Sequence, residues 1–220
     1  MISTLDHLLA DEAMGVLDPA RSLLVASLAS MRPEISIDIA RYEAAGGALL
    51  AAVRPVPLRE DGFERLSILL QAEPRAPASA PELGFAELPA PLRGTVAAAL
   101  RKGTWRRLLP GVHALDLSAV LPRARGGQPV LAELLRVYPG WAIPRHGHGG
   151  EELTLVLAGG FTDETGHFKA GDIAIVDPAL THRPLADPGE PCLSFIVSDT
   201  APRFTGPLGA LTRAWHWFRG

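Results

Sequence analysis

Cysteine is nearly absent from this 220-residue chain: Cys192 stands alone. A lone thiol excludes an internal disulfide and agrees with a reducing, cytoplasmic setting. Long apolar runs are also lacking. None approaches the roughly 18–20 residues that a membrane helix needs, so no membrane span is expected. The segment Met1 to His7 has no basic stretch followed by an apolar one, so no export signal is expected. There is no internal repeat and no excess of positive charge; the formal net charge is −3. Residues 1–54 carry seven acidic side chains against four arginines, and the remainder balances with seventeen of each sign. Nucleic acid demands a basic face, so direct binding to it is not expected. An acidic first quarter suits a basic protein partner instead. With 47% hydrophobic and 20% charged residues, the chain has the apolar content for a sizeable core and is unlike a disordered polymer.

One stretch concentrates the chemistry. Residues 140–159 place His146, His148 and Glu152 at His-x-His-x3-Glu spacing, with Gly140 and Gly159 at the ends. On a β-strand, positions i and i+2 share a face, so both imidazoles aim at one centre. Glu152 has the same parity after a Gly-Gly turn, whereas its neighbour Glu151 should face away. Two neutral imidazoles and a carboxylate suit a borderline divalent ion, and His182 downstream can supply a fourth ligand. Zinc fits these donors first, and iron, manganese or nickel fit them too. The residues resemble the first cupin motif, Gly-x5-His-x-His-x3-Glu-x6-Gly, at every fixed position. Gly171 and His182 match the second motif, while Asp177, Ala179 and Ala186 replace its proline, glycine and asparagine.

The pattern along the chain divides in two. Residues 1–72 read as helices. Leu5, Leu8, Leu9, Val16 and Leu17 fall near the 3.6 period. Asp18-Pro19 caps and opens a second helix, and Pro33 opens a third with Ile35, Ile39, Tyr42 and Leu49 as its buried face. Asp61 caps a fourth over 62–71, with Phe63, Leu66, Leu69 and Leu70 apolar. Residues 73–91, with prolines at 74, 77, 81, 89 and 91, read as a linker. Residues 92–220 begin with a short helix near 95–100. Strands follow at 112–117, 130–138, 153–158, 173–176 and 193–197, as in an all-β barrel. A last helix is expected over 208–218, with Trp215 and Trp217 packing on the barrel.

A small all-α domain, a proline-rich link and an all-β cupin (double-stranded β-helix, or jelly roll) together resemble the ChrR family of anti-sigma factors. The likeness runs from His7 and the Leu-Asp-Pro-Ala turn to the His182 segment. It implies a helical domain that sequesters an extracytoplasmic-function sigma factor, and a metal cupin that senses an oxidant-type stress signal. The family's helical domain usually carries zinc. At three of its ligand positions this chain has Leu28, Arg32 and Ile35, leaving His7 alone. No zinc is therefore expected there, and apolar packing takes its place. Cys192, ten residues past His182, reads either as a small buried hydrophobe or as a redox thiol near the metal. His113, His167 and His216 have no ligand spacing. The alternative is a metal-dependent cupin enzyme such as a dioxygenase, whose helical domain serves a homodimer.

Overall fold

The computed structural model describes residues 3–57, 59–71, 88–122 and 130–205. Helix α1 (Thr4–Ala13) starts at a capping box: Ser3 Oγ accepts the Asp6 N–H, and the Asp6 carboxylate accepts the Ser3 N–H. That exchange satisfies donors a helix start otherwise leaves unpaired. Helix α2 (Pro19–Met31) is capped by Asp18, whose Oδ1 accepts the Ala20 and Arg21 N–H groups, with proline in the first turn. Helix α3 (Pro33–Ala51) again begins on proline, α4 spans Gly62–Gln71, and α5 spans Ala90–Lys102. Helix α5 is longer than the short helix the sequence suggested. Most of 73–91 and the whole of 208–218 lie outside the described residues.

One large antiparallel sheet follows. Its order is β1 (Arg106–Leu109), β2 (Val112–Asp116), β3 (Leu131–Val137), β11 (Cys192–Ser198), β5 (Glu152–Ala158) and β8 (Ile173–Val176). Two three-stranded sheets complete the barrel. One is β10 (Leu185–Ala186), β6 (Gly160–Asp163) and β7 (Gly166–Lys169); the other is β12 (Arg203–Phe204), β4 (His146–Gly147) and β9 (Thr181–His182). The described architecture is thus a helical N-terminal part joined to a cupin jelly roll.

The large sheet is covered on both faces, and parity sorts its residues. On β5, Leu153, Leu155 and Leu157 join Phe195, Val197 and Leu134 in one apolar cluster with Leu24 and Leu28 of α2, and Leu92 and Val96 of α5. The alternate residues Val156, Leu135, Val137 and Cys192 form a second cluster inside the barrel. Double burial explains why β5 reads as an almost unbroken apolar run. The helices and the barrel therefore share a core across the proline-rich stretch. Leu28 and Ile35, expected to pack where the resemblance implies zinc ligands, lie in that shared core, while Arg32 and His7 are exposed.

The third helix departs from its expected face. Ile35 is buried and Ile39 and Tyr42 pack partly against the core, but Leu49 is 74% exposed. By its last turns α3 has run past the elements that cover its beginning. Leu50, Val53 and Val56 beyond it are exposed as well, and on α4 so are Phe63 (78% exposed), Leu66, Ile68 and Leu70.

Candidate metal centre

His146 lies on β4 directly opposite His182 on β9, and the neighbouring β5 begins with Glu152, so three strands converge on one point. The motif glycines shape the approach. Gly140 and Gly159 take φ values of +73° and +64°, a region costly for any residue with a Cβ. A Cβ on Gly159 would also meet the Pro191 carbonyl at 2.6 Å. The second motif tolerates its substitutions because Asp177 forms its own turn. Its Oδ1 accepts the Ala179 N–H at 2.7 Å, and its carbonyl accepts the Leu180 N–H at 2.9 Å. No described non-glycine residue has a positive φ, so alanine serves at 179.

His146, His148, Glu152 and His182 are all buried, and one ligand atom from each lies within 4.8 Å of every other. Among the described residues this is the one such group. His148 Nε2 is 3.2 Å from His182 Nε2, and His148 Nδ1 is 3.4 Å from Glu152 Oε2. Outer contacts set two of the rings. His146 Nδ1–H donates to the Pro144 carbonyl at 2.9 Å, and His182 Nδ1–H donates to Asp163 Oδ2 at 2.8 Å. Both Nε2 lone pairs are thereby left for the centre, the arrangement that metal-binding histidines use. His148 Nδ1 is buried with no hydrogen-bond partner, a costly state that a bound cation at the centre relieves. The donor set and this orphaned atom fit a divalent ion.

Charge behaves accordingly. Burial holds the His146 imidazole down to about 4, against the opposing pull of its bond to Pro144. Burial, with the neighbouring His146 and His182, brings His148 to about 4 as well. Burial lifts Glu152 to about 7, although its hydrogen bond from Thr154 opposes this. The His148–Glu152 contact is therefore no ion pair in the metal-free chain. Burial also pushes up Asp163, but hydrogen bonds from Thr165 and His182 outweigh it and hold the carboxyl below its usual range. At neutral pH the imidazoles are already free of protons, and only Glu152 must give one up when a cation binds. Metal affinity should then climb about tenfold per pH unit below 7 and level off above it. Competition with a chelator of known affinity, across pH 5.5 to 8.5, measures this; a flat profile would refute it.

Asp163 and Thr154 escaped the sequence reading. Asp163 sits nineteen positions before His182, and no local spacing links the two. Cys192 is buried in the inner cluster, 3.5 Å from Ser194 Oγ, and burial pushes its thiol up rather than down. Glu151 faces away from the centre as its parity requires, toward Arg21 of α2 at 3.8 Å. His167 pairs with Asp187 at 2.7 Å, and His113 packs edge-on to Tyr138.

Residues 94–201 match the model of the ChrR cupin-like domain. The anti-sigma-E factor ChrR of Cereibacter sphaeroides is 38% identical over 208 residues, covering 94% of this chain and 94% of its own length. The crystal structure of Rhodobacter sphaeroides SigE in complex with the anti-sigma ChrR superposes with a TM-score of 0.70 at 38% identity, over 88% of this chain and 96% of that one. Likeness of this extent takes in the helices as well as the barrel and its motif, and the chain belongs to the ChrR family of anti-sigma factors.

Proposed function

We propose that this chain sequesters an extracytoplasmic-function sigma factor and releases it when its cupin, loaded with one divalent metal, meets an oxidant-type signal. Residues 1–72 hold the sigma factor, 92–220 sense the signal, and 73–91 join them. His146, His148, Glu152 and His182 are the metal ligands, with zinc the first candidate. No zinc is held in the helical part, where Leu28 and Ile35 supply apolar packing. The protein works in the cytoplasm, where a sigma factor would meet it.

The observation that carries this reading is the set of large apolar side chains left exposed on α3 and α4, among them Leu49, Leu50, Phe63, Ile68 and Leu70. Large apolar side chains exposed in this number suit a partner's apolar face. The family relation names the partner class, since the related ChrR is described in complex with SigE. The chain's excess acidic charge lies in the same part, which favours a basic partner and salt-sensitive association. The test is a pull-down of extracytoplasmic-function sigma factors with the full-length protein. Recovery of none, with this surface instead joining two copies, would overturn the reading.

Coupling between the two parts has a candidate contact. Arg21 on α2 pairs with Asp18 at 2.7 Å, Asp199 at 2.6 Å and Glu151 at 3.8 Å. Asp199 Oδ2 in turn accepts the Glu151 N–H at 3.0 Å, and Glu151 adjoins the ligand Glu152. A change at the metal thus has a short path to the helix that anchors the sigma-holding part. Arg21→Met should loosen this junction by about 1 kcal/mol, because Asp199 is partly solvated. Hydrogen exchange at residues 149–152 and 199–200 should speed up about fivefold, the rate equivalent of that energy. Unchanged exchange would remove Arg21 from the path.

A further inference from the structure

The barrel holds a cavity of about 510 Å³, of the size that encloses a small organic molecule. Three of the four proposed ligands, His146, Glu152 and His182, line one end of it. From there it follows the inner face of the large sheet. Ser198, paired with Glu152 across the sheet, and Cys192, six residues along the same strand, both line it. That separation corresponds to about 20 Å of strand. The walls between are largely apolar, with Leu135, Val137, Ile143, Phe161 and Ile196, and carry the hydroxyls of Thr154 and Ser194. Apart from Glu152, the charged lining groups among the described residues are Arg106, which is exposed, and Glu133. Burial pushes the Glu133 carboxyl up, while Arg106 draws it down.

We propose that this cavity binds an elongated molecule with an uncharged, apolar body and one oxygen-chelating head group, with the head at the His146–Glu152–His182 end and the body along the sheet. This deepens the sensing role proposed above and rests on the metal assignment. The apolar walls offer few groups to match a sugar or a second carboxylate, and burying such polar groups without partners is costly. A second anionic group would lie against Glu133. An alkyl or aryl body meets mostly surfaces of its own kind. Because the opposite face of the same sheet packs on α2 and α5, filling the cavity bears directly on the seating of the helices.

Straight-chain alkyl hydroxamates test this, since the head is held constant while the body grows. The full-length protein, loaded with zinc and with its metal content measured, is titrated calorimetrically from acetohydroxamate to octanohydroxamate. Affinity should rise about threefold to fourfold with each methylene, as burial of a CH₂ group requires. In Ala174→Leu, which narrows the cavity, the preference for the longer chain should shrink. An affinity that stays flat along the series, on protein carrying its full zinc, would overturn the proposal and leave the metal assignment standing. Octanol binding as tightly as octanohydroxamate would remove the role of the head. Protein that takes up no zinc and binds no hydroxamate would refute the metal assignment first, and this proposal with it.

Discussion

Aspartate at both Leu49 and Phe63 should weaken capture of the sigma factor by at least about 100-fold, since buried interface anchors are each worth about 2 kcal/mol or more. Both side chains are largely exposed in the free chain, so the substitutions remove nothing from its own core. Unfolding stability should change by no more than about 0.5 kcal/mol, the usual range for surface positions. That contrast separates loss of a docking surface from loss of the fold. A paired control is Leu28→Ala, in the shared core, which should cost about 2–5 kcal/mol of stability through the cavity it leaves. Binding by surface resonance and unfolding by denaturant provide the two readings. If the double aspartate variant still binds the sigma factor as wild type does, the exposed surface of α3 and α4 is not the grip.

The second large effect concerns the metal. The purified protein should carry about one divalent ion per chain, all of it in the barrel, because His146, His148, Glu152 and His182 supply four donors to one centre. His146→Ala with His148→Ala removes two donors of four and should lower affinity by far more than the 10–100-fold typical of losing an outer-sphere partner. Asp163→Asn supplies that milder comparison, because His182 keeps its ring but loses the carboxylate that orients it. Metal analysis after dialysis against a weak chelator would rank the three proteins. Full occupancy in the double histidine variant would refute the site. A second equivalent of zinc in wild type would refute the claim that Leu28 and Ile35 replace a helical-domain site.

Much of this molecule could be read from local pattern because its causes are local. Ser3, Asp18 and the prolines at 19 and 33 start their helices by satisfying or removing backbone donors within a few residues. The His-x-His-x3-Glu spacing with its two glycines was enough to bring His146, His148 and Glu152 together, since strand parity is a property of the backbone itself. Parity also turned Glu151 outward. The second motif shows the limit of such patterns: its proline and glycine are gone, yet the Asp177 side chain builds an equivalent turn.

Tertiary structure alone decided what covers each apolar face. Periodicity says that Leu49 shares a stripe with Ile35, but not that the covering elements end before it does. The same holds for the core common to helices and barrel, where Leu24 and Leu28 meet Leu153 and Phe195 across the proline-rich stretch that suggested a boundary. The partners that tune the centre are equally remote in sequence: Asp163 from His182, and Arg21 from Asp199, 178 positions apart. The physical reason is common to all of them. A sequence period records which side of an element avoids water, whereas the identity of the surface that shields it depends on how the whole chain closes.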